Sequence, residues 1–320
     1  MQFDVVGIGN PLLDIVSNVE YSFLENNNYK KGTMHLVDAN TQADIINQLS
    51  NITHSAGGSV ANALAAVAAL GGNALFIGVI GNDSDGEKYE LLTKKAGIIS
   101  SLKKANAKQG SSLSLITPDT ERTMLTHLGA CLYLTKDHID LEEIKRGKIL
   151  LIEAYQLDGE KQYEAALHAM SFAKKEGILI AIDLADPALI GRHTEKINML
   201  IKDYSDIIFV NETEAKAVTG KEPLEAVKEL KENCKIAVVK IGSEGSYIFA
   251  DKLYKIEPVK VNAINSTGAG DSYAGSFLCC YAKGYSIEEC GKVASYVASK
   301  VVSSNASRIE EKLNISEILN

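Results

Sequence analysis

The sequence contains no tryptophan, and aromatic residues make up only 6% of its 320 residues. Few side chains are therefore available to stack on successive bases of a single-stranded nucleic acid. Basic residues are also in the minority, with 33 lysines and arginines against 41 aspartates and glutamates. Because neutralising a phosphate backbone requires a basic face, this balance argues against a general nucleic-acid-binding protein. A small anionic ligand is still compatible with it, since such a ligand needs only a few local donors.

Metal-binding and membrane-spanning motifs are missing as well. The five cysteines have no paired spacing, and no CxxC motif or Cys/His cluster indicates a zinc site. The longest apolar stretch, residues 63–80, is interrupted by Gly-Gly-Asn and predicts a helix, a turn and a strand rather than a membrane span. The opening MQFDVVGIG lacks the basic region and the apolar core of a signal peptide. We therefore expect a cytoplasmic protein without a membrane partner.

Short β-branched runs alternate with helical patterns along the chain, which favours an α/β fold. The predicted strands are Phe3–Ile8, residues 74–80, 148–153, 178–183 and 206–210, and Ile236–Lys240. The predicted helices are residues 59–70, 86–96 and 159–176, Glu212–Thr219, residues 224–233 and 268–283, and Ile287–Val302. Continuous apolar strands of this kind are typical of a sheet that is buried on both faces.

Two segments depart from this alternation. Residues 18–38 and 108–128 have period-two character and predict two hairpins. Paired as a small second sheet, they would form a lid over a cleft. The alternative is that they extend the main sheet.

A helical apolar run follows the glycine-rich stretch NSTGAGDSYAG. Ser266 or Thr267 can cap this helix, which places Gly268 and Gly270 in its first turn. Because these glycines lack Cβ atoms, the unpaired backbone N–H groups stay accessible and, with the helix dipole, form a site for anions. The Asp271 carboxylate would repel an anion bound there, so its presence indicates a function of its own. The function that fits is to accept a proton from a hydroxyl group that attacks a phosphoryl group. The alternative is that Asp271 only stabilises the helix end and the glycines only permit close packing.

Other nucleotide-binding and hydrolase motifs are absent or incomplete. Neither the P-loop pattern GxxxxGK[ST] nor the serine-hydrolase pattern GxSxG occurs. Gly7-Ile-Gly-Asn-Pro-Leu12 follows a strand as a dinucleotide-binding fingerprint does, but Leu12 replaces the third glycine. A dinucleotide-dependent oxidoreductase is therefore a weaker alternative.

Four further motifs occur in a fixed order along the chain. They are Gly57-Gly-Ser-Val-Ala-Asn62, Asn211-Glu-Thr-Glu214, Lys240-Ile-Gly-Ser-Glu-Gly245 and Thr267-Gly-Ala-Gly-Asp271. In this order, over roughly residues 3–308, the sequence resembles the ribokinase or PfkB-type carbohydrate and nucleoside kinases. The opening Gly7-Ile-Gly-Asn-Pro-Leu-Leu-Asp14 and the sequence Arg122-Thr-Met are similar to the adenosine-kinase branch of that family.

The resemblance implies a ribokinase-like three-layer α/β/α domain over residues 1–320, with a largely parallel central sheet and a small β-sheet lid formed by about residues 15–38 and 108–128. It also implies phosphorylation of a primary hydroxyl by ATP with Mg²⁺. The opening motif and the lid arginine favour adenosine as the acceptor. A free sugar such as ribose or fructose, another nucleoside such as guanosine, inosine or cytidine, and a non-catalytic nucleotide-binding protein are alternatives. The sequence is compatible with a monomer or a homodimer.

The resemblance assigns roles to individual residues. Asp271 would be the catalytic base, and the transferred phosphoryl group would be contacted by Gly268, Ala269, Gly270 and Arg122. The acceptor would be bound by Asn10, Asp14, Gly57, Gly58 and Asn62. The nucleotide would be bound by Asn211, Lys240, Gly242, Gly245, Thr267 and Gly270, and Mg²⁺ through water by Asn211 and Glu214. Simpler alternatives stay open: a turn residue for Asp14, a surface amide for Asn62, a helix cap for Asn211 and Glu214, and a surface side chain for Arg122.

Two positions depart from the family pattern. Asn265 stands where the signature usually begins with an aspartate, so activation by a monovalent cation stays open. Lys240 stands where threonine is more frequent, which alters the contacts available to a nucleotide. Contacts to a nucleobase are expected from lid side chains such as Phe23, Met34 and His35, although such side chains are equally expected in the core of a lid.

Overall fold

The computed structural model describes residues 1–119, 121–304, 306–309 and 311–319. The strands of these ranges are β1 (Phe3–Ile8), β2 (Leu12–Asn18), β3 (Met34–Leu36), β4 (Thr53–Gly57), β5 (Ala74–Gly81), β6 (Ile99–Ala105), β7 (Ser111–Ile116), β8 (Arg122–His127), β9 (Gly147–Glu153), β10 (Leu179–Asp183), β11 (Ile207–Asn211), β12 (Ile236–Lys240), β13 (Ser246–Phe249) and β14 (Leu253–Ile256).

The helices of the same ranges are α1 (Tyr21–Asn26), α2 (Ala39–Ile46), α3 (Ser59–Ala69), α4 (Ser84–Lys95), α5 (Leu141–Lys145), α6 (Glu160–Glu176), α7 (Pro187–Arg192), α8 (Thr194–Asp203), α9 (Glu212–Thr219), α10 (Pro223–Lys231), α11 (Ala269–Ala282), α12 (Ile287–Val302) and α13 (Ile315–Leu319). Short 3₁₀ turns lie at Gly129–Tyr133, Lys136–His138, Ala154–Leu157 and Gly242–Glu244. None of these described helices combines the length and the apolar content needed to cross a bilayer.

The larger sheet has nine of the described strands, in the order β14-β13-β12-β11-β10-β9-β1-β5-β6. The pairs from β6 to β12 are parallel, and β13 and β14 continue the sheet as antiparallel strands at one edge. The α/β fold with a largely parallel sheet is therefore confirmed. Strands β6, β13 and β14 were not predicted. Strands β6 and β14 are partly exposed edge strands, β13 has only four residues, and none of the three has a continuous buried apolar run.

Each face of the larger sheet has its own hydrophobic core. All residues of β1 and β5 are buried, and successive side chains point to opposite faces. Val5 and Phe76 pack in one core with residues of α3, α11 and α12. Val6 and Leu75 pack in the other core with residues of α6, α8 and α10. The fold thus has the three predicted layers, a sheet between two layers of helices.

A second sheet of five described strands has the order β3-β8-β7-β2-β4. Its strands β7 and β8 form the hairpin that is predicted for residues 108–128. The hairpin predicted for residues 18–38 is wrong, because this segment forms helix α1 and the short strand β3, which pairs in parallel with β8. Helix α1 buries Leu24 against a small core that includes Ile15 and Leu113. This burial outweighs the weak period-two pattern of the segment.

Helices α3 and α11 approach each other closely. A Cβ atom on Gly275 of α11 would lie 1.9 Å from the backbone carbonyl oxygen of Ala63 in α3. Helix α3 begins after Gly58, whose φ of 97° is a backbone conformation that favours glycine. The close approach brings Asn62, in the first turn of α3, to Asp271, in the first turn of α11.

Substitution of Gly275 by alanine is expected to lower the free energy of unfolding by about 1–3 kcal/mol, because the added methyl group pushes the two helices apart. Urea unfolding measures this change. Gly191→Ala is the matched control, since a Cβ atom at this position of helix α7 meets no atom within 4 Å. The control should slightly raise stability, because alanine is the better helix former. Equal stability of Gly275→Ala and the wild type would contradict the close contact.

Candidate active site

Two cavities meet at Asp271. The small cavity, of about 130 Å³, is lined by residues of both sheets, among them Glu153 of the larger sheet and Asp14 and Thr126 of the second. The large cavity, of about 1020 Å³, is lined by residues that follow β10, β11 and β12. Asp271 lines both cavities. An atom transferred from one cavity to the other would therefore pass this carboxyl group.

The Asp271 carboxyl group lies below the protein surface and is fixed by one side-chain hydrogen bond. Asn62 Nδ2 donates to Asp271 Oδ2 over 2.9 Å. Burial raises the pKa of Asp271 to about 7, and the nearby Asp183 carboxylate adds to this rise, whereas the Asn62 hydrogen bond and Lys240 oppose it. A group with a pKa near neutrality is well suited to accept a proton at physiological pH.

Backbone N–H groups in the first turn of α11 face the same region. The Ala269 N–H donates to the Ser266 carbonyl over 3.3 Å, and the Ser272 N–H to the Gly268 carbonyl over 2.8 Å. Among the described residues, the N–H groups of Gly270 and Asp271 have no hydrogen-bond acceptor. The predicted anion site thus has two open donors, and Ala269 contributes a donor only if its long hydrogen bond is given up.

The glycine before this helix is required by packing. Gly268 has a φ of 72°, and a Cβ atom on it would lie 1.6 Å from the Ser307 carbonyl oxygen. The carboxy-terminal segment therefore packs directly against the glycine-rich loop. Asn265 Oδ1 accepts a hydrogen bond from the Thr267 N–H over 2.9 Å and orders the loop from the other side.

Asp14 also lines the small cavity. It belongs to strand β2 and not to a turn after the first strand. Burial raises the pKa of Asp14 to about 6, against the opposing effects of the Ser307 hydrogen bond, Arg122 and Arg308. Ser307 Oγ donates to Asp14 Oδ2 over 3.3 Å. A Cβ atom on Gly57 would lie 2.2 Å from the Asp14 carboxylate, so glycine at this position makes room for it.

Asn10, Gly58 and Asn62 complete the predicted acceptor residues. Gln162 Nε2 donates to Asn10 Oδ1 over 2.6 Å, so the Asn10 amide is already engaged. A Cβ atom on Gly58 would lie 2.2 Å from the Asn10 carbonyl oxygen. Asn62 Oδ1 is buried and accepts no hydrogen bond from a described residue. This oxygen belongs to the same side-chain amide that donates to Asp271.

Glu153 is a site residue that the sequence analysis missed. It is buried at the end of strand β9 and lines the small cavity. Its Oε1 accepts from the Asn10 N–H over 2.6 Å, and its Oε2 accepts from the Val60 N–H over 3.2 Å. Burial raises the pKa of Glu153 to about 7 despite these hydrogen bonds. Its position after a parallel strand is the one signal that pointed to it.

Asp183 is the second missed residue. It ends strand β10, and its Oδ2 lies 3.2 Å from Lys240 Nζ. Burial lowers the pKa of Lys240, but the carboxylates of Asp183, Glu214 and Asp271 outweigh burial and raise it. The Lys240 side chain is therefore a stable cation at the wall of the large cavity.

Asn211 and Glu214 form a reciprocal helix cap at the start of α9. Glu214 Oε2 accepts from the Asn211 N–H over 2.8 Å, and Asn211 Oδ1 accepts from the Glu214 N–H over 2.9 Å. Burial raises the pKa of Glu214 to about 7, and Lys240 opposes this rise. In the described part of the chain, no cluster of three or more acidic, histidine or cysteine side chains could hold a metal ion. The two side chains thus form the helix cap that the sequence left open as the alternative to a Mg²⁺ contact, and the Mg²⁺ contact stays a prediction.

The remaining predicted residues lie around the large cavity or at its boundary. Gly242 and Gly245 follow strand β12 with φ angles of 53° and 91°. Arg122, in the second sheet, donates a hydrogen bond to Thr267 Oγ1 of the glycine-rich loop. Burial lowers the pKa of Arg122, and Asp14 opposes this effect. Arg122 therefore joins the second sheet to the glycine-rich loop next to Asp271.

Of the three lid residues expected to contact a nucleobase, one lines the small cavity and two do not. Met34 lines the small cavity. Phe23 packs against the core of the second sheet. The ring of His35 packs on Tyr29 at a centroid distance of 5.3 Å and bonds to Thr33. Phe23 and His35 are not among the residues that line the small cavity.

Comparisons with known proteins agree with this geometry. The model of the pfkB family of carbohydrate kinases matches residues 31–312. The chain belongs to the pfkB family, whose members are phosphotransferases that act on a hydroxyl group. Membership implies ATP and a divalent metal ion as requirements of the reaction.

Relatives in sequence are named as sugar-acid kinases. The 5-dehydro-2-deoxygluconokinase of Clostridium perfringens is 31% identical over 279 residues, which cover 82% of each chain. The enzyme of the same name from Listeria monocytogenes is 31% identical over 267 residues, covering 78% of this chain and 82% of its own.

Relatives in structure include adenosine kinases. The adenosine kinase of Sinorhizobium meliloti has a TM-score of 0.93, 30% sequence identity and 99% coverage of each chain. A probable sugar kinase of Rhizobium etli has a TM-score of 0.92 and 29% identity, covering 99% of this chain and 98% of its own. The ribokinase-like fold with a second small sheet is thereby confirmed.

The carboxyl group of Asp271 is expected to titrate near pH 7 in a carbon-detected NMR titration of the labelled protein. Asn62→Leu should move this pKa further up, because the hydrogen bond from Asn62 favours the charged carboxylate. Asp38, whose pKa is lowered by hydrogen bonds from Thr41, is the internal control and should not move. A lower pKa of Asp271 in the variant would contradict the role of Asn62.

Proposed function

We propose that the protein is an ATP-dependent kinase that phosphorylates the primary 5′ hydroxyl group of a ribonucleoside, with adenosine as the leading candidate. The observation that carries the proposal is the position of Asp271 between the two cavities, beside the open N–H groups of Gly270 and Asp271. The large cavity would hold ATP, and the small cavity would hold the nucleoside.

Charge in the small cavity supports a neutral acceptor. Four of the described residues that line it are acidic, and none of them is basic; the acids are Asp14, Glu153, Asp158 and Asp271. A carboxylate in the acceptor would be repelled by these side chains, although Arg122 and Arg308 act on Asp14 from outside the lining. The relatives named 5-dehydro-2-deoxygluconokinase act on a sugar acid. The acidic lining of this cavity does not favour such an acceptor.

Apolar side chains in the small cavity support a nucleobase. Met34, Leu36 and Met124 of the second sheet line the cavity, together with Leu128, which follows β8. A flat apolar ring would pack on them, while the hydroxyl groups of its ribose would face the polar side chains of Asp14 and Asn62. An apolar lining with a few polar groups is typical of sites that bind small molecules.

The chain supplies three elements of a phosphoryl-transfer mechanism. Asp271 accepts the proton of the attacking hydroxyl group, which Asn62 Oδ1 helps to orient. The N–H groups of Gly270 and Asp271 donate to the oxygens of the transferred phosphoryl group, where negative charge is greatest during the reaction. The second sheet, joined to the glycine-rich loop through Arg122, excludes water as a lid. Asn211 and Glu214 would hold Mg²⁺ through water, and the ion would supply positive charge to the phosphates of ATP.

A small neutral sugar is the second candidate for the acceptor. The small cavity has a volume of only about 130 Å³, which is below the usual range for ligand sites of about 300–1,000 Å³. A single sugar ring fits this volume more easily than a nucleoside does. The similarity to a probable sugar kinase from Rhizobium etli is compatible with this candidate.

Incubation with Mg-ATP and a panel of acceptors tests the proposal through release of ADP. The panel contains adenosine, inosine, guanosine, cytidine, ribose, fructose and gluconate. Adenosine should have the highest kcat/KM, and gluconate should not react. The rate should fall as the pH drops below about 7, because Asp271 must be deprotonated to act as the base.

Asp271→Asn is the control for this panel and should lower kcat by about 10²–10⁴-fold while the protein stays folded. A higher kcat/KM for gluconate than for any nucleoside would overturn the proposed acceptor. Binding of ATP without ADP release from any acceptor would instead indicate a non-catalytic nucleotide-binding protein.

The use of 2′-deoxyadenosine tests the role of Asp14. Adenosine should have a kcat/KM about 10-fold higher, because loss of the 2′ hydroxyl leaves a carboxylate oxygen unpaired at a cost of about 1–3 kcal/mol. In the Asp14→Ala variant the two nucleosides should react at similar rates, since the discriminating group is gone. Equal use of both nucleosides by the wild-type protein would remove Asp14 from the ribose site.

A further inference from the structure

We propose that Lys240 is a catalytic residue. Its ammonium group would leave the ion pair with Asp183 and contact the phosphoryl group during transfer from ATP to the acceptor. This inference rests on the proposed phosphoryl transfer. The open N–H groups of α11 supply only part of the positive charge that stabilises the transferred phosphoryl group. The remaining positive charge is assigned to the Lys240 side chain. Asp183 is then the partner that holds the Lys240 ammonium group in place before ATP binds.

The geometry places the ammonium group at the start of α11. Lys240 ends strand β12, next to Asn211 of β11 in the sheet. Its Nζ lies 3.2 Å from Asp183 Oδ2 and 3.2 Å from the point that a Cβ atom on Gly270 would occupy. Glycine at position 270 thus leaves the lysine head in contact with the turn that carries the open N–H groups.

Charge in this region favours a cation that can change partner. Three acidic side chains act on Lys240, those of Asp183, Glu214 and Asp271. Such a cluster repels an incoming phosphate unless positive charge is brought between them. Among the described residues that line the large cavity, the basic ones are Lys240 and the exposed Lys260. Only the Lys240 side chain, 14% exposed, lies at the boundary with Asp271.

The chemistry of lysine suits this exchange. Its ammonium group is a point charge on a flexible four-carbon stem, so it can follow a moving oxygen over a short distance. In the reaction, the bond between the departing ADP oxygen and phosphorus breaks, and the bond from the acceptor oxygen to phosphorus forms. Asp271 takes the hydroxyl proton. Lys240 supplies charge alone and transfers no proton.

Binding of AMP-PNP and of AMP, measured by calorimetry with Mg²⁺, tests the contact without an acceptor. Lys240→Met should weaken AMP-PNP binding at least tenfold and leave AMP binding unchanged, because only the longer phosphate chain reaches Lys240. Lys240→Arg should recover part of the lost affinity. Lys260→Met removes the same charge from the same cavity and is the matched control, with little effect expected on either ligand.

Turnover gives the second readout. In Lys240→Met, kcat should fall by about 10²–10³-fold, the loss seen when one donor to a developing oxyanion is removed. The KM of the acceptor should stay unchanged. The double variant Asp183→Asn/Lys240→Met removes both charges of the ion pair and should show the same loss. Lys240→Met alone leaves the Asp183 carboxylate buried and unpaired, which can cause misfolding. The double variant leaves no such carboxylate, so its loss of activity reports the missing phosphate contact.

The outcomes distinguish this inference from the function on which it rests. If the wild-type protein binds neither AMP nor AMP-PNP, the proposed function fails and this inference fails with it. If the wild-type protein binds both, and Lys240→Met or the double variant keeps AMP-PNP affinity and kcat, only the role of Lys240 is overturned. An equal loss in Lys260→Met also overturns it, because the effect is then one of overall charge.

Discussion

The hydrogen bond from Asn62 to Asp271 joins the first turns of two helices that are far apart in the sequence. It forms because α3 and α11 approach to backbone distance, which the glycine at position 275 permits. The contact holds one carboxyl group between two cavities and leaves the neighbouring N–H groups open. Asn62 can keep the Asp271 carboxyl group oriented, while its own Oδ1 atom is buried and has no hydrogen-bond partner among the described residues. The packing of the core thus sets the geometry of the site.

Glycine-rich patterns allowed much of this candidate site to be located from the sequence. Gly57 makes room for the Asp14 carboxylate, and Gly58 and Gly268 adopt backbone conformations that favour glycine. Each of these glycines marks a place where a backbone or a carboxylate comes too close for a Cβ atom. The central strands were equally readable, because strands buried on both faces are continuous apolar runs. Local sequence therefore predicted the elements and the loops at their ends.

Residues that act across long distances in the sequence were not readable. Glu153 is recognised by its contact with the Asn10 N–H, which lies 143 positions away. Asp183 is recognised by its ion pair with Lys240. In the sequence, Glu153 and Asp183 are each only the last residue of an apolar strand. The segment 18–38 was misassigned for a similar reason, since helix α1 is stabilised by burial of Leu24 against strands from elsewhere in the chain. Tertiary contacts determine the structure in such cases, and the periodicity of the local sequence carries no information about them.

The two cavities differ in their basic groups, and this difference gives the proposed reaction a direction. Both cavities are lined by four acidic side chains, but among the described residues only the large cavity adds basic ones, Lys240 and Lys260, beside the open N–H groups of Gly270 and Asp271. In the proposed reaction, a neutral nucleoside would enter the small cavity without charge repulsion, and its hydroxyl groups could donate to Asp14 and Asn62. After transfer, the product would carry a phosphate next to Asp271, which would lose the accepted proton to solvent. Repulsion between these anions would then weaken product binding relative to acceptor binding. The acidic side chains that would favour a neutral acceptor would therefore also favour release of the phosphorylated product.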